Sequence, residues 1–96
     1  MLTLKKVKVA GRYIQGLAWD LGARNLIVLR GDKGYCMCGY LNMKAANTFH
    51  DVAVKIVGVS SIAGALKATV HSCSVPARSL GIRVGQPIKD VLKIIA

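Results

Sequence analysis

The chain reads as an α+β domain. It is a two-layer sandwich in which a five-stranded, mostly antiparallel sheet, built on an N-terminal meander, carries helices on one face. Three observations predict this. Residues 1–41 hold four apolar segments of strand length separated by short glycine-bearing turns, the pattern of a meander. Beyond Asn42 the apolar period changes from two to between three and four, the spacing of a helix. After Pro87 the helical spacing returns and runs almost to the last residue. With 96 residues, 53% of them hydrophobic, the chain makes one domain over 1–96 that can bury a core unaided.

Each element follows from local pattern. In Leu2 to Val9, Val7 and Val9 share one face and Lys6 and Lys8 the other, as in a half-exposed strand. Gly11-Arg12 suits a type II′ hairpin turn. In the return strand, Tyr13 to Leu21, one face holds Tyr13, Leu17, Trp19 and Leu21; the other holds Ile14, Gly16, Ala18 and Asp20. Gly22-Ala23-Arg24 turns the chain into Asn25 to Arg30, apolar on both faces and hence central. Gly31 and Gly34 bracket Asp32-Lys33 and tolerate the positive φ of a tight connection. Tyr35 to Tyr40 carries no charge and reads as a strand buried on both sides. Cys36, Cys38 and Tyr40 share one face, and Gly39 marks a bulge or a close backbone approach.

Asn42 is a good N-cap for a helix reaching about Asp51, with Ala45, Ala46, Phe49, Val52 and Ala53 at helical spacing. Val54 to Val59 is β-branched and makes the fifth strand. Ser60 or Ser61 caps a short helix over Ile62 to Ala68. Between Thr69 and Leu80, a helix restarting at Pro76 and a short strand before it both fit. Leu80-Gly81-Ile82 has the form of a helix C-terminus with Gly at C′. Pro87 opens the last helix at its first position, and Ile88, Val91, Leu92 and Ile95 form its inner face. One layer of helices would leave apolar surface on the far side of the sheet. A homodimer, or a curl of the sheet, is expected to cover it.

Gly34-Tyr35, then Met37-Cys38-Gly39, then Leu41-Asn42 resembles the signature of the YunC-like family of small uncharacterised prokaryotic proteins. Leu80-Gly81-Ile82-Arg83-Val84-Gly85, followed by a last helix, is a second match. Cys38 falls on the family cysteine. The resemblance spans nearly the whole chain and implies a compact two-layer α+β domain, with a helix within 69–80. It implies no catalytic residues and no assigned activity.

The charge is +10, from 14 Lys and Arg against four Asp. Such an imbalance favours an anionic partner such as nucleic acid, a phosphorylated ligand or an acidic protein. Lys5, Lys6 and Lys8 are the only cluster, and Arg12 in the adjacent turn extends it; these four are the candidate contact strip. The plainer reading is a soluble basic surface. Tyr13 and Trp19 share a strand face on which bases could stack, with packing into the core the favoured alternative.

Three cysteines argue against a disulfide framework and for reduced thiols in a cytoplasmic protein. Cys36 and Cys38, as i and i+2 of a strand, stand roughly 6.5–7 Å apart, too far to bridge. Cys38 with His50 or His71 as base is the candidate for thiol chemistry, making a thiol-dependent enzyme or a small-molecule site the alternative function. The Cys-x-Cys spacing fits no standard zinc site, so no metal or cofactor is expected. No Walker loop, Rossmann fingerprint or nucleophile elbow occurs. No apolar run approaches the ~18 residues of a membrane span, and Met1 to Arg12 lacks the apolar stretch of a secretory leader.

Overall fold

The alternation read in the N-terminal half becomes a real ladder in the structure, a computed structural model that describes residues 1–96. The strands are β1 (Leu2–Val9), β2 (Arg12–Asp20), β3 (Asn25–Arg30), β4 (Tyr35–Met37), β5 (Ala53–Lys55) and β6 (Ser72–Cys73). They form one six-stranded sheet in sequence order. All neighbours are antiparallel except β4 and β5, which are parallel. The fold is therefore α+β as expected, with six strands rather than five. The extra strand is two residues long, too short for a periodic signal, and lies in the segment where a short strand and a helix both fitted. It is followed at once by a helix, α3 (Val75–Ser79), with Pro76 in the first turn.

Turn geometry corrects one expectation. Val9 pairs with Arg12, so the β1–β2 turn is Ala10-Gly11, with φ of 50° and 80°. Both residues are left-handed, which makes the turn type I′ rather than II′. The close glycine approaches are not at Gly39, which meets nothing within 4 Å, but at Gly31 and Gly34. A side chain at Gly31 would collide with the Ile95 carbonyl, and one at Gly34 would lie 2.5 Å from the Val52 carbonyl oxygen.

The inner face of the sheet presents Ile14, Ile27, Leu29, Cys36, Cys38, Val54, Ile56 and Cys73. Against it pack α2 (Ile62–Leu66), α3 and α4 (Ile88–Ile95). Gly16 makes room for α2, because the Ile62 side chain stands 3.2 Å from where its Cβ would be. On α4 the buried residues are Ile88, Val91, Leu92 and Ile95, the stripe its spacing predicts. Pro87 is the N-cap of this helix, one position earlier than expected. Gly81 ends α3 with φ +94°, and the Gly81 and Ile82 amides donate to the Arg78 and Ala77 carbonyls, a complete Schellman motif.

The remaining helix, α1 (Met43–Thr48), lies on the opposite face. Asn42 caps it by accepting from the Ala45 amide at 3.1 Å. Parallel strands need a crossover, and α1 is the crossover from β4 to β5. It buries Ala46 with Leu41 and Ala53, against Tyr35 and Met37, in a small cluster separate from the main core. Helices thus cover one face from β2 to β6, leaving Thr3 and Lys5 of β1 exposed there, and the β4–β5 part of the other. The outer face of β1–β3 stays open. No helix is long and apolar enough to cross a membrane.

Candidate functional site

Register turns the open face into four rows. Lys8 stands opposite Tyr13, and Lys6 opposite Gln15 and then Arg30. Leu4, Leu17 and Val28 make the third row; Leu2, Trp19 and Leu26 make the fourth. Two basic and polar rows therefore adjoin two apolar ones. The Arg30 guanidinium donates to the Gln15 side-chain oxygen at 3.4 Å, which holds it along the sheet. No aspartate occupies an outward position on these three strands. Where basic and apolar rows meet, a shallow cavity of about 520 Å³ lies over Leu4, Lys6, Gln15, Leu17, Val28 and Arg30, with Lys5 and Gly16, whose side-chain positions face the other way, also in its lining.

The predicted contact strip divides. Lys6 and Lys8 are on this face and exposed. Lys5 and Arg12 alternate with them and take the other side of the sheet, because Lys5 pairs with Gly16 and Arg12 is in phase with Ile14. Arg30 is the cation that sequence reasoning left out; its place beside Gln15 depends on the β2–β3 register. Core packing of Tyr13 and Trp19 is overturned. They are 62% and 49% exposed, because Ile14, Gly16 and Ala18 took the inner side.

Cys38 has a different setting. It lies just past β4, with its amide on the Ile27 carbonyl and its Sγ accepting from the Ile27 amide at 3.4 Å. It is buried, yet it forms part of the floor of a cavity of about 380 Å³ with Arg24, Asn25, Tyr40, Val59 and Ser60. The Asn25 side-chain Nδ2 donates to the Ser60 carbonyl at 2.9 Å, tying the start of β3 to the loop between β5 and α2. The cavity opens beyond the carboxyl ends of the parallel pair, a common place for ligands in sheets with crossovers.

Neither histidine reaches that cavity. His50 sits at the far end of α1, at the C′ position with φ 59°, where its amide and that of Asp51 close a Schellman motif onto Asn47 and Ala46. It borders two other depressions, one with Val75 and Leu80 and one with Lys33 and Asp51. His71 is exposed beside β6. The pairing of Cys38 with a histidine base is therefore not assembled. Cys36 is fully buried, and burial pushes its thiol up to about 12, so it is no nucleophile at neutral pH. No three His, Cys or Asp side chains converge as metal ligands.

Fold and faces together define a small α+β domain with a mixed sheet, one face of which is half open. The chain belongs to the family described as a domain of unknown function, DUF1805, whose profile matches residues 37–95. It is similar to the uncharacterised protein YunC of Bacillus subtilis (strain 168), at 30% identity over 96 residues, covering 96% of this chain and 95% of that protein. It is also similar to a crystal structure of a protein of unknown function, TA1206 from Thermoplasma acidophilum. That match has a TM-score of 0.96 and 34% identity, covering 100% of this chain and 94% of the other. The resemblance read from the Gly34–Asn42 stretch is thus established.

Proposed function

We propose that the protein is a non-catalytic binding module that holds an anionic partner on the open face of β1–β3. The observation that carries this is the grouping of Lys6, Lys8 and Arg30 on a face where three strands present no carboxylate outward. Cations with no anion among them leave a positive potential that a polyanion neutralises. The three unpaired, buried cysteines favour a reducing, cytoplasmic setting. The test is fluorescence anisotropy of a labelled oligonucleotide at low and at moderate salt. Binding should weaken steeply with salt, since each neutralised phosphate releases counterions. Lys6/Lys8→Ala should weaken it at least tenfold at low salt, while Lys5/Arg12→Ala, on the opposite side, should change it far less. Binding indifferent to salt and to Lys6/Lys8→Ala removes the proposal.

A second reading rests on the Cys38 cavity: a small-molecule site whose floor includes a thiol, with Arg24 at its edge. It requires Cys38 to react with a thiol reagent in the native protein, stoichiometrically and ahead of Cys36 and Cys73. Equal, slow reaction of all three cysteines sinks it.

A further inference from the structure

We infer that the anionic partner is single-stranded nucleic acid, held with its bases on Trp19 and Tyr13 and its phosphates at Lys6, Lys8 and Arg30. This rests on the reading of the open face as an anion-binding surface, and it adds what the charges alone do not specify. Phosphate groups need the cations; they do not need two exposed rings and a floor of leucines. The face offers both in one plane. Tyr13 is directly opposite Lys8, and Trp19 lies between Leu2 and Leu26, with Leu17 two residues away on the same strand. The two rings are six residues apart on one face of β2, roughly 20 Å at the usual rise per residue. A chain of several nucleotides spans that distance.

The boundary between the rows is where such a ligand fits. Above Leu4, Leu17 and Val28 the surface is apolar and shallow, suited to the flat face of a base; Lys6 and Arg30 border the same cavity and suit the phosphate that follows it. Stacking is available only from unpaired bases, because a duplex encloses its ring faces and offers phosphates and groove edges. The contacts are to ring faces and backbone, so recognition is tolerant of sequence. A second copy of this chain suits the face less well. It would bring the same three cations and no outward carboxylate to meet them.

Trp19 is the only tryptophan, so its emission reports this face directly. The experiment titrates the full chain at low salt with three probes: an oligothymidylate of about twelve nucleotides, a DNA duplex of the same length, and inorganic polyphosphate. The expected result is quenching of Trp19 by the single strand, tighter binding of it than of the duplex, and polyphosphate binding without quenching. Trp19→Leu and, separately, Tyr13→Leu should each lower single-strand affinity by about tenfold or more and leave polyphosphate affinity unchanged. Circular dichroism checks that both variants fold. If all three probes bind in a Lys6/Lys8-dependent way but none quenches Trp19, and Trp19→Leu binds the single strand as well as wild type, the base contact is wrong and the anion-binding face stands. If no probe binds at low salt, both fall. A concentration-dependent dimer dispersed by Leu4→Lys would make the face a self-interface and overturn the inference.

Discussion

Ser74 shows how much one hydroxyl can organise. It is the one polar residue among those fully withdrawn from solvent. Its Oγ donates to the Asp51 carbonyl at 2.6 Å and accepts from the Ala53 amide at 3.0 Å and the Ala77 amide at 3.3 Å. One atom thus joins the end of the α1–β5 loop, the first residue of β5 and the first turn of α3. Ser74→Ala leaves those backbone groups without a partner and is expected to cost about 2–3 kcal/mol, read from urea denaturation. Gly31 is the steric counterpart. Its missing side chain lets the C-terminal residues of α4 lie against the β3–β4 turn, where the Lys33 amide donates to the Ile95 carbonyl at 2.8 Å. Gly31→Ala should destabilise by about 2–3 kcal/mol through this backbone collision, whereas Gly39→Ala, with open space around it, should change stability by less than about 1 kcal/mol.

At the scale of the element, β4 links the two layers. It is three residues long, and its alternate side chains serve opposite faces. Cys36 enters the main core, and burial raises its thiol from 9.0 to about 12. Tyr35 turns outward toward α1. Burial first, and then its hydrogen bond to Asp51 at 2.9 Å, raise the phenol from 10.0 to about 12. In both cases the native strand holds the protonated form. Well below pH 9 the folded and unfolded chains bind these protons equally. From about pH 9 to 12 the unfolded chain releases protons that the native one keeps, so stability falls as pH rises. Urea midpoints measured from neutral pH upward should decline through this window. Tyr35→Phe should remove the part that begins near pH 10, and Cys36→Val the part that begins near pH 9. Midpoints that decline equally in wild type and in both variants would show that neither group is responsible.

The whole molecule carries +10 on 96 residues, and this gives salt two opposite effects. Repulsion among cations destabilises the compact state, and screening relieves it. Raising ionic strength from about 20 mM to about 200 mM, which shortens the screening length to below about 10 Å, should therefore raise the thermal midpoint. The same change should weaken binding of a polyanion at Lys6, Lys8 and Arg30. A midpoint that falls with salt would mean that attractive pairs outweigh the repulsion. The open face is set by where the helices lie, since α1 covers β4 and β5 and no helix covers the outer side of β1–β3.

What the sequence determined was local. β1 ends at the turn holding Gly11, β3 runs between the turn signals at Gly22 and Gly31, Asn42 caps α1 through its own side chain, Gly81 closes α3, and the buried stripe of α4 follows from its spacing. The YunC-like signature was legible for the same reason, being a run of adjacent residues. Tertiary structure decided which side of each strand faces inward. A period of two says that Tyr13, Leu17 and Trp19 share a face and that Ile14, Gly16 and Ala18 share the other; both sets are apolar enough for a core. The choice fell to packing, because Gly16 alone leaves space for Ile62 of α2. From that choice came the exposure of both aromatics, the separation of Lys5 and Arg12 from Lys6 and Lys8, and the arrival of Arg30. The parallel pairing of β4 with β5, the two-residue β6 and the cavity at Cys38 depend likewise on residues far apart in the chain. Local rules specify elements and their caps; only contact between distant segments specifies which surface is left for a partner.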